Sequence, residues 1–170
     1  MDWHSVFSWI EASRLSVWVR ESQSLLGFPA ILTLHAVGMG FLVGAATAMD
    51  LRIFGFAPRI PISALEELVP VMRSGFWLNA GSGILLLIAS PTRHLTNPVF
   101  YVKLSLIAIA LMDARLLLKH VVRKPSTGAA IGVRAKILAA ASLLFWAGAI
   151  VAGKLLYYTF TRRDPFGNPY

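Results

Sequence analysis

Five ionisable side chains fall inside the long apolar runs of this sequence: His35, Lys103, Asp113, Arg115 and Lys154, with Asn79 as a neutral companion. Ionisable groups are expensive in hydrocarbon, so each is a candidate ligand, relay or interhelical contact. His35 sits in "LTLHAVGMGFLVG", and a neutral imidazole there must donate from one ring nitrogen and accept at the other. It has two readings. In one it hydrogen-bonds a neighbouring helix, at Asn79 or Ser82. In the other it is the axial ligand of a haem iron, since a proximal imidazole is a common haem ligand and a bundle interior a usual cofactor site; composition alone favours the first. Lys103 begins about 7 to 8 Å into its run at 1.5 Å per residue. It either snorkels outward or meets an anion such as a haem propionate. Tyr101, Arg93 and His94 fall on the same side and add polar contacts.

The candidate site is therefore His35 as metal ligand, with Lys103, Met112, Tyr101 and Arg93 around a b-type haem. Among the four histidines, none shares the depth of His35. A sixth ligand would be Met39, Met112, a loop histidine or a group from another subunit, or the iron is five-coordinate. Met39 and Met49 also allow a copper reading, because thioether sulfur suits Cu(I). Asp113 and Arg115, two residues apart, do not face each other on a helix. Arg52 is the expected partner of Asp113, and the pair would be structural. Lys154 is expected to snorkel. Asp113 and His120 share a face, with His120 in headgroup water.

These residues need long helices to position them. The 170 residues are 56% hydrophobic and 14% charged, with a mean hydropathy of +0.66, too apolar for an ordinary soluble domain. Four runs, 25–49, 74–90, 98–118 and 137–158, are each about long enough for a hydrocarbon core of about 30 Å. The expected fold is all-α: a single membrane domain, 1–170, built as an integral membrane four-helix bundle. Residues 1–22 read as an N-terminal amphipathic interfacial helix with Trp3, Trp9 and Trp18 at headgroup level. They lack the basic and apolar regions of a cleaved signal, and are expected to stay on the mature protein. In the first loop, "PISALEELVPVM" predicts a short interfacial helix, with Ser63 and Glu66 in capping-box spacing and Pro70 as a kink. Asn97 or Thr96 caps the third span and Pro98 starts it. "RKPSTGAAIG" predicts a flexible turn, and residues 161–170 an exposed tail. Gly40, Gly44 and Ala48, Gly148 with Ala152, and Gly81 with Gly83 suit close helix packing, within the chain or in a homodimer.

The absence of cysteine excludes disulfides, iron–sulfur ligation and thioether-linked haem. A net charge of +8 lies in loops beside the spans, which points to membrane lipid rather than nucleic acid. The first and third loops carry Arg52, Arg59, Arg73, Lys119, Arg123, Lys124, Arg134 and Lys136. The opposite side carries Arg14, Arg20, Arg93, Arg162 and Arg163. That asymmetry predicts a bacterial inner membrane location with both termini on the periplasmic side.

The order "LHAVGMGFLVG", "DLRIFG", "LNAGSGILLL" and "NPVFYVKLSLIAIALMDARLLLKH" resembles a family of uncharacterised four-span bacterial membrane proteins. More distantly it resembles copper-resistance protein D and the haem-binding protoporphyrinogen oxidase HemJ. The resemblance covers about residues 28–120 and implies that His35 and Lys103 are the functional positions. Two functions follow: a non-catalytic haem subunit transferring electrons with a quinone or membrane partner, or a cofactor-free accessory subunit of a larger membrane complex.

Overall fold

A computed structural model describes residues 3–22, 24–122 and 131–161. All the described elements are helical. They are α1 (Trp3–Glu11), α2 (Arg14–Glu21), α3 (Phe28–Phe54), a 3₁₀ helix (Ile62–Glu67), α4 (Leu68–Ala89), α5 (Pro91–Leu95), α6 (Pro98–Leu117), a π-helical turn (Leu118–Val122) and α7 (Val133–Thr161). Most of "RKPSTGAAIG" and the tail from Arg162 onward lie outside the described residues.

Three stretches, Phe28–Phe54, Ile62–Ala89 and Val133–Thr159, are long and apolar enough to cross a membrane. Only 11% to 28% of each apolar window is buried within the protein. Leu32, Phe41, Trp77, Leu144 and Leu155 are among the large apolar side chains left on the outside. Such a continuous apolar exterior is what lipid solvates and water does not. The remaining long helix, α6, spans 20 residues and carries Lys103, Asp113 and Arg115.

Local chemistry explains the boundaries. Pro29 opens α3, and Gly55, with φ of +108°, ends it in the left-handed conformation, its N–H turned back to Leu51 and Arg52 carbonyls. The helix thus runs five residues past Met49 and takes in Asp50 and Arg52, which the apolar run alone had left outside. The single helix expected over 1–22 is instead two helices. The Ser13 hydroxyl accepts from Ser16 N, a local bond that competes with helix continuation and restarts the chain as α2. The first-loop helix is 3₁₀, with Pro61 rather than Ser63 at its cap. Pro70 falls in the first turn of α4, where its missing N–H costs nothing. Asn97 caps α6 as expected, its side chain accepting from Val99 N at 3.0 Å.

The long helices form two pairs, α3 with α4 and α6 with α7, joined chiefly by contact between α3 and α7. Between α3 and α4 the backbones touch at Gly38 and Gly75. A Cβ on Gly38 would lie 2.6 Å from Asn79 N, and one on Gly75 2.6 Å from Leu42 N. Packing within the chain is not found at Gly40 and Gly44: a Cβ on either, or on Gly81, would meet nothing within 4 Å. Gly40 lies two residues from Gly38, about 200° round the helix, and so faces outward.

One end of the assembly is tied by polar bonds. Ser16 Oγ and Arg20 donate to Ala89 O at 3.2 and 3.3 Å. Thr92 N donates to Glu11 at 3.2 Å, and Asn97 Nδ2 to Thr159 Oγ1 at 2.9 Å. These bonds tie α2 to the end of α4, α1 to α5, and the start of α6 to the end of α7. The other end is apolar, with Met49, Ile53, Leu65, Leu117, Val122 and Ala139 in one cluster.

Candidate functional site

His35 faces α4. Its Nδ1 lies 3.0 Å from Asn79 O and 3.2 Å from Ser82 Oγ. Asn79 returns the contact, its Nδ2 donating to His35 O at 2.8 Å. Ser82 spends its own proton on backbone carbonyls of α4, Leu78 O at 2.6 Å and Asn79 O at 3.1 Å. A carbonyl oxygen can only accept, so this network assigns the His35 proton to Nδ1 and leaves a lone pair on Nε2. The ring lies against α4 at Gly83, where a Cβ would meet Cε1 at 3.2 Å. Glycine makes room there for an imidazole that any larger residue would push aside.

The Nε2 lone pair is met by Lys103, whose Nζ lies 3.4 Å away. Lys103 is half-buried and does not turn out toward the helix end. Its stem runs over α7 at Gly153. The hydrogen-bonded reading of His35 thus has its partners on α4, Asn79 and Ser82, while the remaining ring nitrogen accepts from Lys103. A carbonyl that accepts from the opposite ring nitrogen is commonly found behind metal-bound histidines.

His94 completes the group. Its Nδ1 donates to Ser90 O at 2.8 Å, so it is held in the same tautomer as His35. Its ring packs edge-on against Phe100, and it lies within electrostatic reach of Lys103 and His35. Burial pulls the His94 imidazole below its usual value; the Ser90 bond opposes this, and the positive charges of Arg93 and Lys103 reinforce it. Burial likewise lowers Arg93, with Tyr157 opposing.

Other expected site residues are not brought to His35. Met112 is 63% exposed. It lies nine residues beyond Lys103, which is two and a half helical turns and so the opposite face of α6. Tyr101 is exposed, and its hydroxyl donates to Leu95 O at 2.9 Å. Met49 is buried in the apolar cluster at the far end, about 21 Å along α3 from His35, so the copper ligand set is not assembled. No group of three or more His, Asp or Glu side chains stands ready for a metal ion among the described residues. The expected Arg52 to Asp113 pair is absent too. Arg52 donates to Ile60 O at 2.6 Å and Pro58 O at 3.2 Å, bonds that close the loop after α3. His120 is exposed and donates to Leu116 O, away from Asp113.

Compared with family models, with curated proteins and with solved structures, the chain finds no match.

Proposed function

We propose that this chain is a four-span membrane protein that binds b-type haem and serves as an electron-transfer subunit. The observation that carries the reading is the His35 ring: Nδ1 tied to Asn79 O at 3.0 Å, and Nε2 left as a lone pair beside Lys103. The donor set fits the group. His35 Nε2 would hold the iron, and His94 Nε2, held in the same tautomer, would offer a second imidazole in place of Met112. Lys103 and Arg93 offer cations to propionate carboxylates, Lys103 giving up Nε2 as it does so. The distant resemblance to the haem-binding protoporphyrinogen oxidase implies the same two positions, His35 and Lys103. Bound haem would supply one-electron exchange with a quinone or a membrane partner. The surrounding apolar side chains exclude water and so help set the potential.

Four spans follow if α6 joins the three apolar helices. Its Lys103 and Asp113 face the interior, and Arg115 lies near its end, so little charge meets lipid. α1 and α2, tied to the end of α4 and exposing Trp3, Trp9 and Trp18, suit the membrane interface. The basic first and third loops favour a bacterial inner membrane orientation with the termini on the periplasmic side.

A second reading, a cofactor-free accessory subunit or homodimer, is favoured by one observation. The small-residue face Gly40, Gly44 and Ala48 of α3 is exposed, with open space beside both glycines.

The test is a reduced-minus-oxidised spectrum of protein purified in detergent from haem-sufficient cells. The expected result is a Soret band that disappears in His35→Ala and weakens in His94→Ala. Folded wild-type protein without haem would overturn the reading. Stoichiometric co-purifying neighbours would then establish the accessory role.

A further inference from the structure

A second polar layer lies far from the first. Asp50 on α3, Asp113 on α6, and Ser142 and Trp146 on α7 are 1%, 5%, 0% and 1% exposed. Each polar group is bracketed by apolar residues about one helical turn away. Asp50 falls between Ala46 and Ile53, Asp113 between Ala110 and Leu117, and Ser142 between Ala139 and Trp146. The residues on one side belong to the cluster of Leu42, Ala46, Ala110 and Trp146. Those on the other belong to the cluster of Met49, Ile53, Leu117 and Ala139. Asp50 is within electrostatic reach of Asp113, and the Ser142 hydroxyl lies beside the Asp50 carboxyl. Yet Asp50 Oδ2, both Asp113 oxygens, Ser142 Oγ and Trp146 Nε1 close no hydrogen bond.

Buried polar atoms without partners are rare, and buried carboxylates are rarer still unless a positive charge compensates them. Among the described residues, no cation faces this layer. On α3, Arg52 is turned to the loop carbonyls of Pro58 and Ile60. On α6 and the turn after it, Arg115, Lys119 and His120 are exposed. On α7, Arg134 and Lys136 are exposed, as are Arg73 of α4 and Glu66 and Glu67 of the 3₁₀ helix. Two like charges held together in low dielectric cannot both persist. The pair must carry a positive charge of its own, and a proton is the one that needs no cavity.

We propose that Asp50 and Asp113 form a proton-binding site that holds one exchangeable proton between two carboxyl groups, with Ser142 and Trp146 as its hydrogen-bonding surround. One carboxyl carries the O–H and donates it; the other is a carboxylate that accepts. The indole N–H and the serine hydroxyl donate to the remaining oxygens once the side chains close on the charge. Because the two carboxyls come from opposite helix pairs, the proton sits at the seam between α3/α4 and α6/α7. Releasing it to water leaves two negative charges across that seam and drives the pairs apart. The site is separate from His35, about 22 Å away along α3, with the apolar layer of Leu42, Ala46, Ala110 and Trp146 between them. It does not depend on haem binding.

The test is infrared spectroscopy of the full chain in lipid nanodiscs, unlabelled and with carboxyl-labelled aspartate. Wild type at neutral pH is expected to show a protonated-carboxyl carbonyl band that shifts with the aspartate label and with deuterium oxide. The band should shift in Asp113→Asn and in Asp50→Asn, each of which leaves one buried aspartate to hold the proton, should vanish in the double variant, and should be the same in sodium chloride and choline chloride. Absence of a labelled protonated-carboxyl band in wild type at neutral pH overturns the proposal, whatever the variants do. A band that sodium abolishes overturns it in favour of an alkali-ion site. If the Asn variants fail to fold, the labelled wild-type spectrum still decides, and Ser142→Ala is expected to shift the band without removing it.

Discussion

The Lys103 ammonium lies 3.4 Å from His35 Nε2, on a helix that the sequence separates from His35 by 68 positions. The opposite ring nitrogen is held 3.0 Å from Asn79 O. A backbone carbonyl therefore sets the ring, and the Lys103 side chain guards its lone pair.

Lys103→Met removes the guard and its charge but keeps the ring where Asn79 holds it. Haem titration of the purified variant is expected to show affinity about ten- to a hundredfold weaker, the worth of a hydrogen bond to a charged group, with an unchanged axial-ligand spectrum. Wild-type affinity in this variant would remove Lys103 from the site.

Gly38→Ala places a methyl 2.6 Å from the backbone nitrogen of Asn79, which cannot yield as a side chain would. The loss is expected to be about 1 to 3 kcal/mol, read as a lower midpoint in denaturant titration of the micellar protein. Gly40→Ala, which meets nothing within 4 Å, should stay within about 0.5 kcal/mol of wild type. Equal effects at both positions would mean that the α3–α4 contact is not made there.

Asn97→Ala loses the cap of α6 and the bond to Thr159 together. The expected cost is about 1 to 2 kcal/mol. A double-mutant cycle with Thr159→Ala should return a coupling of about 1 kcal/mol. A coupling of zero would leave the cap alone responsible.

His94 gives a pH dependence of definite sign. Its folded-state value lies below 6.5, chiefly through burial. The unfolded chain therefore takes up the proton first as pH falls. The stability that neutral His94 contributes is fully present above pH 6.5, and is lost progressively as pH drops from there toward the folded-state value. Unfolding midpoints of haem-free protein measured from pH 8 down to pH 5 should fall more steeply in wild type than in His94→Gln. Parallel curves would show that the ring is solvated in the folded state.

The sequence carried the helices well, because composition and hydrophobic length act locally and need no partner. Asn97 and Pro98 likewise mark the start of α6 in any fold. The end of α3 was legible in Gly55, a left-handed cap, but was obscured because the apolar run stops at Met49 and Asp50 reads as a boundary. Met112 was misjudged for a related reason. Sulfur and depth recommend it, whereas its angle around α6 relative to Lys103 turns it outward. Gly40 and Gly44 carry the familiar four-residue spacing, but spacing does not say which face of a helix meets its neighbour.

By itself, then, the sequence determined an all-helical chain with stretches long enough to cross a membrane, and singled out His35 and Lys103 as polar groups in apolar surroundings. Only the tertiary structure decided that these two meet, that the backbone carbonyl of Asn79 sets the His35 tautomer, and that Met112 faces away from them. It also brought Asp50 and Asp113 into one buried layer. Helix formation follows from hydrogen bonds within a single segment. Helix pairing follows from which faces fit, and a contact such as Gly38 on Asn79 selects the rotation that everything else inherits.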